Sequence, residues 1–209
     1  MFSASFKQFL TFIAAAAATG KAIFGYGRAS AGNSSLTNLV SNTGVVSTDT
    51  TGVGTARREL AAAGYGTDKA IFGYGNVGFG GIYSLTNLVS NTGVVSTDTT
   101  GVGTARYNLA AAGYGTDKAI FGYGYDDVAV LSLTNLVSNT GVVSTDTTGV
   151  GTARYWLAAA GYGTNKAIFG YGFDGLYFSI TNLVSNTGVV STDTTGVGTA
   201  RFAPAAAGF

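Results

Sequence analysis

Short apolar segments and polar turn sequences alternate along this chain. Between residues 57 and 105, four apolar segments cover residues 60–66, 69–74, 85–90 and 94–97. They contain valine, threonine, alanine and aromatic residues, and no stretch keeps the 3.6-residue apolar rhythm of an amphipathic helix. The separators, including GTD at 66–68 and NTG at 91–93, are typical turn sequences. The pattern therefore predicts four short antiparallel strands in this stretch.

The same pattern occurs four times. The segment TNLVSNTGVVSTDTTGVGTAR begins without change at Thr37, Thr86, Thr134 and Thr181, so successive copies start 49, 48 and 47 residues apart. A second block, KAIFGYG, begins at Lys21, Lys69, Lys118 and Lys166. Periods of this length are typical of four-stranded blades or helix pairs, and the 33 glycines disfavour helices.

The repeats predict an all-β fold, a small β-propeller of four four-stranded blades, with a β-solenoid as the alternative. One domain, 1–209, holds repeats at about 9–56, 57–105, 106–153 and 154–200. The alanines at 61–63 and their equivalents fit the innermost strand, where blades converge on the axis. Bulky Ile71, Phe72 and Tyr74 are expected between neighbouring blades.

Both ends of the chain resemble the innermost strand of a repeat. Residues 201–209, RFAPAAAGF, are expected to clasp the first blade and close the ring, or to reach a neighbouring chain and build a homo-oligomer. Residues 13–18 are a divergent copy of the same strand. The apolar stretch at 9–18 is too short to span a bilayer, and a secretory signal at 1–18 is the alternative interpretation.

Differences between the repeats are concentrated in two windows. The first lies between GYG and TNL, where the inserts are RASAGNSSL, NVGFGGIYSL, YDDVAVLSL and FDGLYFSI. The second is the residue pair after the repeated arginine: RE, YN, YW and FA. In an antiparallel meander, connections two apart lie at the same end of the sheet, so both windows are expected on one face. A fixed scaffold with one varied face is typical of recognition by loops.

Residues of these windows are the candidate ligand-binding site. Aromatic side chains offer large contact area at low entropy cost and stack on sugar rings, although packing between blades is the alternative for them. Two roles are open for the acids at 126, 127 and 174: ligation of calcium or sugar hydroxyls, and solvated turn residues. The candidates are Arg58, Glu59, Tyr107, Asn108, Tyr125, Asp126, Asp127, Tyr155, Trp156, Phe173, Asp174 and Tyr177.

Composition argues against several function classes. The chain has no histidine and no cysteine, and so lacks the usual general base near neutral pH and every thiolate nucleophile or ligand. No nucleophile and base lie at a recognisable spacing, so an enzyme using Asp126, Asp127 or Glu59 is the weakest hypothesis. A net charge of +1 provides no field for nucleic acid. We expect a non-enzymatic protein without cofactor, nucleic-acid partner or membrane span.

The charged residues that recur in every repeat are expected to be structural. Asp98 and its equivalents precede Thr-Thr-Gly, which suggests hydrogen bonds within their own turn. Arg57, Arg106, Arg154 and Arg201 are expected to bind carbonyl groups or the repeated aspartates between blades.

Residues 106–124 contain, in this order, an arginine, two variable residues, an alanine-rich strand, a turn ending in Asp-Lys and an apolar strand ending in glycines. This order resembles the kelch motif of galactose-oxidase-like propellers, although Tyr74 separates the glycines that kelch repeats hold adjacent, and the outer-strand tryptophan is missing. Near-identical repeats bearing KAIFGYG look like those of environmental bacteriophage proteins. The resemblance implies a virion or extracellular protein that binds a glycan or cell-surface receptor. The alternatives are a virion scaffold or decoration protein that docks onto other virion proteins, and a secreted lectin-like adhesin.

Overall fold

A computed structural model describes residues 20–209, and the strand predicted at 13–18 and the possible signal at 1–18 lie outside them. The described part is all-β and consists of small antiparallel sheets. Its strands are β1 (Ala22–Gly25), β2 (Arg28–Ala29), β3 (Gly32–Asn33), β4 (Thr37–Val40), β5 (Ala61–Tyr65), β6 (Lys69–Gly73), β7 (Thr86–Val89), β8 (Ala110–Tyr114), β9 (Lys118–Tyr125), β10 (Val130–Val137), β11 (Ala158–Tyr162), β12 (Lys166–Phe173) and β13 (Tyr177–Val184).

Each repeat folds into a sheet of its own. We call residues 20–56, 57–105, 106–153 and 154–200 units 1 to 4. In units 2 to 4 the sheets have the orders β5-β6-β7, β8-β9-β10 and β11-β12-β13, and all neighbours are antiparallel. The first three strands predicted for unit 2 are therefore present, each within two residues of the expected ends.

The fourth strand predicted at 94–97 is not a strand in the structure. The segment pairs with β7 only at two isolated bridges, Val89 with Val95 and Thr86 with Thr99. Three residue steps on β7 face four on the outer segment, so the ladder contains an extra residue. Between the bridges, the Ser96 hydroxyl accepts the Leu88 N–H at 3.0 Å, in place of a backbone carbonyl. Each sheet therefore has three strands and an outer segment that is only bridged.

Unit 1 and the variable windows depart from the common pattern. Among the described residues, β1 pairs only with β4, whereas its equivalents β6, β9 and β12 also pair with an alanine-rich strand. The variable window of unit 1 forms the β2-β3 hairpin, and that of unit 2 contains a short 3-10 helix at Gly78–Gly80. In unit 3 the window is absorbed into longer strands, β9 and β10. Loop length therefore changes the local structure without changing the sheet.

Aromatic side chains pack neighbouring units together, as the sequence suggested. Phe121 of unit 3 is fully buried against Tyr74 of unit 2, with ring centroids 5.2 Å apart. A Cβ atom at Gly73 would lie 2.7 Å from the Phe121 ring, so only glycine fits beside it. Tyr74 itself adopts a left-handed backbone conformation (φ 67°). This contact explains why tyrosine follows the first glycine of GYG: Gly73 leaves room for the Phe121 ring, and the Tyr74 ring packs against that phenylalanine.

A fully buried arginine joins each pair of units. Arg106 donates from Nε to the Tyr123 carbonyl at 2.8 Å, from Nη2 to Asn135 Oδ1 at 2.7 Å and from Nη1 to the Thr104 carbonyl at 3.0 Å. Its guanidinium also lies 4.2 Å from the centre of the Tyr74 ring in the preceding unit. Arg57 and Arg154 repeat this arrangement. The prediction that these arginines bind carbonyl groups between units is confirmed for the three.

The sequence suggested that the repeated aspartates bind their own turns, but Asp98, Asp146 and Asp193 bind a threonine of the preceding unit instead. Asp146 accepts hydrogen bonds from the Thr104 N–H and hydroxyl and from the Asn135 side chain, and lies 3.9 Å from Arg106. Burial acts to raise the pKa of Asp146, but these hydrogen bonds outweigh it and hold the pKa below its ordinary value. A side chain at Gly103 would clash with the carboxylate. The partner of Asp146 is therefore Thr104, 42 residues earlier in the chain, and not the adjacent turn.

The alanine-rich strands of successive units lie side by side. A Cβ atom at Gly113 in β8 would lie 3.4 Å from the Gly64 carbonyl oxygen in β5, and Gly161 relates to Gly113 in the same way at 3.5 Å. In the C-terminal segment, Gly208 lies against the backbone of Gly161. Within residues 20–209, no hydrogen bond joins this segment to β1, so the clasp stays a prediction. In the same part of the chain we find no helix with the length and apolarity to cross a bilayer.

Replacing Arg106 by alanine is expected to destabilise the protein by ~3–5 kcal/mol, because Asn135 Oδ1 and the Tyr123 carbonyl lose their buried partner. Urea unfolding followed by circular dichroism measures the change. Arg28→Ala is the matched control, since Arg28 is exposed, and it should stay within ~0.5 kcal/mol of the parent. Equal destabilisation by Arg106→Ala and Arg28→Ala would contradict the role of Arg106 in joining the two units.

Stability is expected to fall between pH 10 and about 12. Burial, opposed by the charge of Arg106, raises the pKa of Tyr74 from 10.0 to about 12. A raised pKa in the folded state contributes stability below pH 10, ~2–3 kcal/mol here, which is lost as the pH approaches 12. Tyr74→Phe should make the pH dependence of the unfolding free energy shallower in this range. Tyr162→Phe, at an exposed position, should leave it unchanged.

Candidate functional site

The two variable windows meet in units 2, 3 and 4, because the first residue of the pair bonds to the start of the inserted loop. Tyr107 and Tyr125 exchange two backbone hydrogen bonds, both 3.0 Å. Tyr155 and Phe173 do the same at 2.9 and 3.0 Å, and Arg58 pairs with Asn76. The windows therefore form one continuous surface along the end of the sheets.

The second residue of each pair links this surface from unit to unit. Asn108 donates its N–H to the Glu59 carbonyl at 2.9 Å, Trp156 donates to Asn108 at 2.9 Å, and Ala203 donates to Trp156 at 2.7 Å. All four have left-handed backbone conformations, with φ between 49° and 59°. Asparagine tolerates this region, whereas a bulky tryptophan occupies it at a cost. The backbone is thus constant where the side chains differ most.

Seven aromatic rings form an unbroken chain on this surface. Tyr107 contacts Tyr125, Tyr125 contacts Tyr155 across the boundary between units 3 and 4, and Tyr155 contacts Phe173, with centroid distances of 5.6 to 5.7 Å. Trp156 lies 4.7 Å from Tyr155. Phe202 and Tyr177 complete the chain beside Trp156 and Phe173. Tyr177, Phe202 and Trp156 are 56%, 43% and 38% exposed, so their rings are accessible to a ligand.

One acid contacts the aromatic chain. The Tyr107 hydroxyl donates to Asp127 Oδ1 at 2.9 Å. Burial, and next the carboxylate of Asp127, raise the pKa of the Tyr107 hydroxyl well above its ordinary value. Asp127 has a left-handed conformation (φ 70°) and is exposed, so its second oxygen faces solvent beside the rings.

Polar side chains take the place of the rings in units 1 and 2. Arg58 donates from Nη1 to Asn33 Oδ1 at 3.4 Å and lies 3.3 Å from Glu59. The Asn76 side chain accepts the N–H of Gly78 in its own loop. The surface therefore has a polar half and an aromatic half. The sequence analysis treated the four residue pairs as alternatives at one position and did not predict this division. Asn33 and Asn76 were not among the predicted residues.

Two of the predicted acids have structural roles. Asp126 Oδ1 accepts the N–H groups of Val128 and Ala129 at 3.0 and 2.6 Å, and Asp174 Oδ1 accepts the N–H of Leu176 at 3.1 Å. Each therefore shapes its own loop. Within residues 20–209, no three acidic side chains are grouped in a way that could hold a metal ion.

The structure thus brings together Tyr107, Tyr125, Tyr155, Trp156, Phe173, Tyr177 and Asp127, and sets Arg58, Glu59 and Asn108 beside them. Phe202, which sequence analysis placed in the second window without counting it among the candidates, is a full member of the aromatic chain. Phe202 directly precedes Ala203, which keeps its backbone hydrogen bond to Trp156 although Pro204 follows. Phe79, at the tip of its loop, is fully exposed and has no ring contact within the described part.

A cavity of about 700 Å³ lies away from the variable surface. It follows the alanine-rich strands at the end with the turns before Lys69, Lys118 and Lys166. Its lining is nearly identical from unit to unit, so it does not carry the variation that distinguishes the repeats. On the variable surface the rings of Tyr177, Phe202 and Trp156 are exposed, so a ligand could lie on them.

Comparison of the sequence with protein-family models and with curated proteins finds no match. The candidate site therefore rests on its own geometry.

Replacing Asp127 by alanine is expected to lower the pKa of Tyr107, because the negative charge beside the hydroxyl is removed while burial of the ring remains. NMR titration with labelled tyrosine side chains, assigned through Tyr107→Phe, measures this pKa. Asp174→Ala is the control, since Asp174 bonds within the loop of unit 4 and not within the loop that holds Asp127. A Tyr107 pKa that is the same in both variants would contradict the contact.

Proposed function

We propose that this protein binds carbohydrate through the aromatic half of its variable surface, without catalysis. The chain of seven rings across the variable windows carries the proposal. The resemblance of the near-identical, KAIFGYG-bearing repeats to those of environmental bacteriophage proteins leads us to propose a phage particle as the setting and a cell-surface glycan as the target.

A β-propeller is the architecture that we propose for the four units. Every described sheet contains strands of a single unit, and neighbouring units meet through buried side chains such as Phe121 on Tyr74. In a β-solenoid, by contrast, strands of successive coils pair with one another along the axis. Side-by-side alanine strands, with glycines at the points of closest approach, fit blades that converge on an axis. These features favour blades over coils.

Ring geometry on the surface suits a sugar. Sugar rings present C–H groups on one face, and these pack on the faces of tyrosine and tryptophan. Trp156 is partly exposed at the centre of the chain, between Tyr155 and Phe202. Hydroxyl groups around the sugar need polar partners, which Asp127 and the Asn108 side chain provide at the border. The variable surface fits an extended glycan better than a small molecule, which needs a pocket.

A strained backbone at the centre supports a functional role for Trp156. The same position carries Glu59, Asn108 and Ala203 in the other repeats, all left-handed. Tryptophan is an expensive choice there, because a bulky side chain rarely adopts positive φ. Retention of strain at an exposed aromatic residue is typical of recognition sites.

Trp156 is the single tryptophan of the chain, so its fluorescence reports directly on the variable surface. Glycans that bind on an array are expected to shift or quench this emission in solution. Tyr155→Ala and Trp156→Asn should each weaken binding at least tenfold, measured on the array and by calorimetry. Trp156→Asn copies the residue of unit 3 and keeps the left-handed backbone.

Arg58→Ala, in the polar half, is the matched control and should retain most of the affinity. An array without a hit, or unchanged binding by Tyr155→Ala and Trp156→Asn, would refute the proposal. If only Arg58→Ala loses binding, the ligand binds the polar half of the surface and not the aromatic half.

A further inference from the structure

The three joints between units define what a complete joint contains. From the following unit come a phenylalanine, a tyrosine carbonyl, an asparagine Oδ1 and an aspartate. From the preceding unit come the tyrosine ring, the glycine beside it and the threonine of VGT. The arginine lies between them and binds both sides.

Unit 4 ends in one half of such a joint. Arg201 lies over the Tyr171 ring at 4.0 Å and donates from Nη1 to the Thr199 carbonyl, as the buried arginines do. In the described part of the chain, its Nε and Nη2 groups have no acceptor, and Arg201 is exposed. Gly170 has no phenylalanine against it, whereas Gly73 and Gly122 each have one within 3 Å of a Cβ position. This half therefore offers hydrogen-bond donors of Arg201 and an unfilled space beside Gly170, which we call the socket.

Unit 1 begins with the complementary half. The Tyr26 carbonyl and Asn38 Oδ1 accept no arginine within residues 20–209, although their equivalents accept one in units 2 to 4. Asp49 accepts only the Asn38 amide, at 2.8 Å, and lacks the threonine that binds Asp98, Asp146 and Asp193. Phe24 is 64% exposed, whereas Phe72, Phe121 and Phe169 are at most 3% exposed. This half offers acceptors and an exposed aromatic ring.

Strand pairing follows the same division. The inner edge of β1 is unpaired among the described residues, where β6, β9 and β12 carry an alanine-rich strand. The C-terminal segment ends in AAAGF, nearly the AAAGY of those strands, yet forms no strand. An unpaired edge and an unpaired strand sequence are the two partners of strand addition.

The sequence before unit 1 does not supply the missing arginine. Arg57, Arg106 and Arg154 each lie twelve positions before a KAIFGYG lysine, and the residue twelve positions before Lys21 is Phe9. The acceptors of unit 1 therefore match Arg201 and not the residue at position 9.

We infer that the C-terminal half-joint of one chain binds the unit 1 half-joint of a second copy, so that the protein associates head to tail. Arg201 of one copy would donate to the Tyr26 carbonyl and Asn38 Oδ1 of the next, and Phe24 would enter the socket at Gly170. The two faces differ, so the contact is heterologous, and it ends only where a ring of chains closes. In this structure the two halves of one chain are not joined to each other.

Sedimentation velocity of the whole 209-residue chain, over a wide range of concentration, tests the inference. The parent is expected to exceed the mass of one 21.0 kDa chain. Arg201→Ala and Phe24→Ala should each weaken association roughly hundredfold or more, because each removes one side of both joints of a closed pair. Both side chains are exposed, so the variants should keep the parent's circular dichroism spectrum. Lys166→Ala, an exposed cation away from the joint, should associate like the parent.

Mixing the variants separates association between chains from closure within one. Arg201→Ala retains an intact unit 1 face, and Phe24→Ala retains an intact C-terminal face, so an equimolar mixture should form a two-chain species through one joint. A parent that sediments as one chain at every concentration would overturn the inference. An Arg201→Ala variant that keeps the parent's mass, or a mixture that stays at one chain, would overturn it too.

Discussion

Burial of one guanidinium group per joint is the constraint on which the structure depends. A buried charge is costly unless it is fully hydrogen-bonded. Arg106 is fully buried and takes two acceptors from its own unit, the Tyr123 carbonyl and Asn135 Oδ1, while the preceding unit supplies the Thr104 carbonyl and the Tyr74 ring. No buried side-chain nitrogen or oxygen lacks a partner in the part of the chain that the structure describes. A unit cannot satisfy its arginine alone, so stability arises between neighbours, as in other repeat proteins.

This constraint separates the scaffold from the variable surface. The joint uses only invariant positions: the arginine, the tyrosine and glycines of GYG, the asparagine of TNL, and the aspartate and threonine of the long repeat. The two windows of a unit are held together by backbone hydrogen bonds, such as those between Tyr107 and Tyr125, which do not depend on the side chains. Their side chains are therefore free to change, and in units 3 and 4 they have become a continuous row of rings.

Local sequence predicted much of the fold, and failed where partners are distant in sequence. Strands β5, β6 and β7 follow from apolar segments and turn residues, and the arginines were recognised because only interunit contacts explain identical charges in every repeat. The prediction of an outer strand was wrong because the outer segment has an extra residue between its two bridges to β7, and the Ser96 hydroxyl takes the place of a backbone carbonyl. The turn hydrogen bonds predicted for Asp98 were wrong because its partner Thr55 lies 43 residues earlier, which a local pattern does not contain. Of the site, the meeting of the two windows followed from strand reversal. The contact of Tyr107 with Asp127 did not, since it depends on the conformation of one loop.

The unchanged joint also has a consequence for how such a gene can vary. The segments that begin at Thr37, Thr86, Thr134 and Thr181 are identical in amino-acid sequence. Where the DNA that encodes them is also alike, the copies can misalign during recombination. A crossover between two of them removes or duplicates one whole period, and every junction that results again places an arginine beside the tyrosine, asparagine and aspartate that it needs. Recombination can thus reorder the surface loops, and change their number, without creating an unpaired buried charge.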